Sequence, residues 1–76
     1  MSWPEYVRRL SQGDNQVAIE ARTSIDQGTV SRWLRGKTSP SPAQAAKFAQ
    51  SYEGNVLEAF VAAGFLTAEE RSGPPR

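Results

Sequence analysis

Few side chains in this 76-residue sequence are equipped for directed chemistry, and they concentrate between Gln27 and Ser39. Arg32 is the sharpest of them. Its guanidinium donates two parallel hydrogen bonds, which suits a pair of acceptors on a planar edge, such as guanine O6 and N7. If Gln27 to Arg35 is helical with Val30 turned to the core, the helical advance of 100° per residue sends Gly28, Ser31, Arg32 and Arg35 outward together. Thr29 adds a methyl suited to thymine and a hydroxyl suited to phosphate. Gly28 brings no side chain and offers close approach instead, at a cost of about 1 kcal/mol in helix propensity. The bland account of Arg32 is a solvated surface arginine or a phosphate contact, and base contact is weighed modestly above it.

The rest of the composition excludes more than it offers. Histidine and cysteine are absent, which removes the usual general base, the commonest zinc ligand, thiolate metal ligands and disulfides. Asp14, Asp26 and the glutamates fall at helix caps or on solvated faces, with no paired carboxylates and no glycine-rich phosphate cradle. At this length a single domain withdraws only about 60% of its surface from water, so a large enclosed active site is not expected. An enzyme, a cofactor, a metal and a small-molecule substrate are all unexpected. No apolar run approaches the ~20 residues of a membrane span, and Met1 to Glu5 has none of the regions of a signal peptide, so the expected location is the cytoplasm.

The formal net charge is only +1, but the charges are unevenly placed. From Gln27 to Tyr52 the charged residues are Arg32, Arg35, Lys37 and Lys47, whereas Glu53, Glu58, Glu69 and Glu70 follow without a base between them. One basic and one acidic face are expected.

Five helices must position these residues. Trp3, Tyr6, Val7 and Leu10 form the inward stripe of the first, which starts after Ser2 or Trp3 and stops at Gly13. Asp14 or Asn15 caps a second helix running to about Thr23, with Ala18, Ile19 and the stem of Arg22 on its buried side. Ser24 and Ile25 form a turn. Asp26 caps the third helix, whose Val30, Trp33 and Leu34 face inward and which Gly36 stops. After the Lys37 to Ser41 loop, Ser41 and Pro42 open a fourth helix with Ala45, Phe48, Ala49 and Tyr52 inward and Gly54 as its stop. Asn55 caps a fifth, with Leu57, Phe60 and Val61 inward, Gly64 near its end and Phe65 folding back onto it. Thr67 and Glu70 have capping-box spacing for a last turn. The domain is expected over 1–70, with 71–76 as a flexible tail.

Two short helices joined by a three- to four-residue turn fit the helix-turn-helix scheme. Gln16, Ile19, Ile25, Gln27, Val30, Ser31, Arg32, Trp33, Gly36 and Pro40, in this register, resemble the lambda-repressor-like family, also called the Cro/CI or XRE family. The resemblance spans about Trp3 to Leu66. It implies an all-α, compact five-helix domain in which helices 2 and 3 form the helix-turn-helix. It also implies sequence-specific binding of double-stranded DNA in the major groove by helix 27–35. The corresponding role is a transcriptional regulator, most characteristically a phage or bacterial repressor on an operator. Gln27 then joins Gly28, Thr29, Ser31 and Arg32 as a base reader at the helix tip, able to pair with adenine, while Gln16 touches phosphate and braces it. Asn15, Arg35, Lys37, Thr38 and Ser39 are the further phosphate candidates, with Lys47 as an additional one.

Two positions depart from the family pattern. Glu20 stands where a small alanine is usual, and it must turn to solvent or pair with Arg32 or Arg35. Ser24 replaces the turn glycine, which reshapes the turn or strains it by about 1 kcal/mol. Phe60, Val61, Phe65 and Leu66 are partly accounted for by the core, and the family resemblance, which implies dimerisation through helix 5, makes them the candidate surface for a homodimer. Such a dimer would set recognition helices about 34 Å apart on a pseudo-palindromic operator. The competing class is a protein-interaction module on the same scaffold, recruiting its partner through the acidic region of helix 5.

Overall fold

A computed structural model describes residues 2–66, and the expected last turn, the tail and the end of the 1–70 domain lie outside or across that limit. Five helices follow one another: α1 Trp3–Leu10, α2 Gln16–Thr23, α3 Gln27–Leu34, α4 Pro42–Ser51 and α5 Val56–Ala63. Helix α1 packs on α3 and α5, α2 on α3 and α4, and α4 on α5. No described helix is long and apolar enough to cross a membrane.

Short helices are marginal alone, and here every N-terminus is capped. Ser2 with Glu5, and Ser41 with Gln44, form reciprocal capping boxes at α1 and α4, each with a proline in its first turn. The Asn15, Asp26 and Asn55 side chains accept from N–H groups in the first turns of α2, α3 and α5. At the other end of α5, the Phe65 N–H donates to the Phe60 carbonyl at 2.8 Å while the two rings meet edge to face at 5.9 Å. The expected fold-back of Phe65 after Gly64 is therefore present.

The core is aromatic. Phe48 lies at its centre, with ring centroids 5.6 Å from Trp3, 6.2 Å from Tyr6, 6.4 Å from Trp33 and 5.1 Å from Tyr52. Ile19, Ile25, Val30, Ala45 and Ala49 fill the space around these rings.

Several inward assignments change. Leu57 is 47% exposed, and Ala59 and Ala62 are the buried residues of α5. Val-Leu-Glu-Ala-Phe-Val-Ala-Ala is apolar nearly all round, so periodicity cannot choose a face; the small alanines do, by allowing close packing. Ala18 is only half-buried, and Thr23 takes the second core position of α2. Helix α1 ends at Leu10, before Gly13, which adopts a left-handed conformation in the turn that follows. At the end of α4 the left-handed residue is Glu53, with φ 55°, and not Gly54. Gly54 instead serves close approach: a Cβ there would lie 2.5 Å from Leu10 Cδ2 and 2.9 Å from Tyr6 Oη.

Candidate nucleic-acid interface

The turn between α2 and α3 is built without glycine. Ser24 adopts the left-handed conformation itself, with φ 62° and ψ 21°, so the turn keeps its shape and carries the backbone strain. Buried Thr23 holds it in place. Its Oγ1 donates to the Ile19 carbonyl at 2.7 Å and accepts from the Ile25 N–H at 3.1 Å, satisfying groups that burial would otherwise orphan. Sequence reading missed this residue, although a threonine ahead of a turn is the available signal.

Asp26 then starts α3, its Oδ2 accepting from Gly28 N at 2.8 Å and Thr29 N at 3.3 Å. Val30 and Trp33 are fully buried and fix the rotation of the helix about its axis. Arg32 and Arg35 are exposed on the opposite side, with Gly28, Thr29 and Ser31 half-buried between. Both guanidinium groups lie along their own helix: Arg32 Nη2 donates to Thr29 Oγ1 at 3.3 Å, and Arg35 Nη2 to Ser31 Oγ at 2.7 Å. A Cβ at Gly28 would stand 2.8 Å from Asp26 Oδ2 and 3.4 Å from Arg32 Nη1, so the missing side chain also leaves room for the cap and the arginine. The far end of α3 is closed by Gly36 in a left-handed conformation and by Arg8, whose Nη2 donates to the Leu34 carbonyl at 3.0 Å. The Arg8 contact, unanticipated from sequence, places positive charge at the negative end of the helix dipole.

Gln27 is exposed at the helix tip, and its Nε2 donates to Glu20 Oε1 at 2.8 Å. One expectation is corrected by this contact. Glu20 pairs with neither Arg32 nor Arg35, because those arginines lie back along α3 while Glu20 faces the first residue of that helix. Gln16 also forms no hydrogen bond to Gln27; the two side chains line an open cleft of about 580 Å³ together with Arg8, Asn15 and Val17.

The remaining candidates are spread around this face. Asn15 Oδ1 is engaged with the Ala18 N–H at 2.9 Å, which leaves its amide group as the donor. Lys37, Thr38 and Ser39 are exposed on the loop after α3, which buried Pro40 anchors, and Lys47 is exposed on α4. Arg22 is exposed as a residue, lies 4.8 Å over the Tyr52 ring and donates through Nε to the Ser51 carbonyl at 3.2 Å. Tyr52 in turn donates to Asp14 Oδ2 at 2.8 Å, tying α4 to the chain leading into α2. The charge segregation is partly cancelled where Arg9 meets Glu58 at 3.2 Å.

Of the candidate dimer residues, Phe60, Val61 and Leu66 are half-buried and Phe65 is 40% exposed, with exposed Leu57 on the same helix. Among the described residues no cluster of acidic side chains is arranged to hold a metal ion.

A family model described as helix-turn-helix matches residues 6–57, from α1 through α4 to the start of α5. Neither curated proteins nor solved structures gave a match. With α2, the Thr23–Ser24 turn and α3 inside the matched segment, the chain belongs to the lambda-repressor-like (Cro/CI, XRE) helix-turn-helix family of DNA-binding transcription regulators.

Proposed function

We propose that the protein is a sequence-specific repressor that occupies an operator and reads its major groove with helix 27–35. The observation that supports this most directly is the division of α3 into a buried side, Val30 and Trp33, and an outer side bearing Gly28, Thr29, Ser31, Arg32 and Arg35. In this reading Arg32 leaves Thr29 to donate both of its forked N–H groups to a guanine, and Gln27 meets adenine at the helix tip. Asn15, Gln16, Arg35 and the Lys37, Thr38 and Ser39 loop hold phosphates and set the register without specifying sequence. Two copies meet through Phe60, Val61, Phe65 and Leu66 on a pseudo-palindromic site, with 1–70 as the DNA-binding domain and 71–76 as a tail.

The test selects bound sequences from random DNA and then measures variants on the selected site and on scrambled DNA. Arg32→Ala should flatten the preference at one base pair, with a loss of about 1–3 kcal/mol on the selected site. Lys37→Ala should weaken binding to all sequences alike and lower the salt slope by roughly one. Parent-like binding by both variants would remove α3 and its loop from the interface. A protein-interaction module with a mainly apolar partner interface would show little salt dependence, whereas DNA affinity falls steeply as salt rises.

A further inference from the structure

Resting on that DNA-binding reading, we propose that Glu20 is a positioning residue that sets base choice at the recognition-helix tip by fixing the direction of the Gln27 amide. A side-chain amide has a donor end and an acceptor end of nearly equal size, and a glutamine held by another amide can be satisfied either way round. A carboxylate only accepts. Glu20 Oε1, 2.8 Å from Gln27 Nε2, therefore takes the amino end of Gln27 and excludes the reversed amide, which would set oxygen against oxygen. Nε2 keeps its second proton, and Oε1 of Gln27 remains free as an acceptor. Those two groups match adenine, which offers N6–H as donor and N7 as acceptor. Guanine presents two acceptors, O6 and N7, on that edge, so it sets an oxygen against the fixed Gln27 oxygen. The same contact explains how a carboxylate that forms no salt bridge among the described residues is accommodated between α2 and α3 at a half-buried position.

The experiment compares the parent, Glu20→Ala, Glu20→Gln, Gln27→Ala and the Glu20→Ala/Gln27→Ala double variant on the selected operator and on all its single-base substitutions. Gln27→Ala identifies the base pair that Gln27 reads. At that pair Glu20→Ala should reduce discrimination of adenine from guanine by roughly five-fold or more, the low end of what a bidentate contact supplies. Glu20→Gln should lose less, since its oxygen still accepts but its amide no longer enforces one direction. Preferences at every other position should stand, and Glu20→Ala should add nothing in the Gln27→Ala background. In the free protein, the Gln27 side-chain amide signals in a nitrogen-proton spectrum should move toward those of a solvated amide in Glu20→Ala. A parent-like preference profile in both Glu20 variants, with the parent itself sequence-specific, overturns the role of Glu20 and leaves the DNA reading intact. A parent that binds selected and scrambled DNA alike overturns both.

Discussion

At the scale of single residues, Tyr52 joins three parts of the molecule: its ring packs at a tilt on Phe48 and carries Arg22 above it, and its hydroxyl donates to Asp14. Burial pushes the phenol up to about 12, and the hydrogen bond and negative charge of Asp14 act in the same direction, against the weaker influence of Arg22. Because the folded value lies above the unfolded one, near 10, the stabilisation is complete below pH 10 and is lost as pH rises toward 12. Chemical denaturation across that window should show stability falling. Tyr52→Phe should cost about 1 kcal/mol at neutral pH and remove this part of the alkaline decline. An unchanged alkaline slope in Tyr52→Phe would assign the decline to other groups, of which Tyr6, also raised by burial, is the first to examine.

At the scale of elements, the helix ends carry opposing signs of strain that can be measured separately. Ser24 and Glu53 both hold positive φ without being glycine, whereas Gly54 follows Glu53 where a side chain has no room. Ser24→Gly should stabilise the fold by about 1 kcal/mol by relieving the left-handed conformation, and thermal unfolding should rise by about 4–8 °C in a domain of this size. Gly54→Ala should do the reverse, costing about 1–3 kcal/mol by forcing Leu10 and Tyr6 apart. Melting temperatures moving in the same direction for both would contradict this account. Sequence spacing located the five helices and most of their caps, because capping residues, prolines and inward stripes are local signals. It placed the stop of α4 on Gly54, where a steric requirement from α1 gives that glycine a different purpose.

At the scale of the whole molecule, an aromatic cluster contributed by α1, α3 and α4 leaves α5 to pack through alanines, with its larger side chains at the margin. Leu57 and Phe65 are exposed beside half-buried Phe60. An isolated apolar side chain at a surface is ordinary, but Phe60 and Phe65 meet edge to face and Leu57 precedes Phe60 by about one turn of α5. If this surface joins two copies, sedimentation should find two protomers on a full operator and one on a half-site. Phe65→Glu should remain folded, since the side chain is already partly in water, yet lose at least ten-fold in affinity for the full site while binding the half-site as the parent does. Equal loss on both sites, or single protomers on the full operator, would rule the dimer out.

By itself the sequence determined the helical fold, its order of elements, the exclusion of histidine- and cysteine-dependent chemistry, and the resemblance that the family model supports. Those properties follow from residue type and short-range spacing. Only the tertiary structure decided which face α5 buries, that Ser24 itself takes the left-handed turn position with Thr23 holding it, and that Gln27 is held by Glu20. Each of these depends on which groups two packed helices bring within hydrogen-bond or van der Waals reach. Seven positions separate Glu20 from Gln27, and the turn between them determines that a carboxylate and an amide meet there.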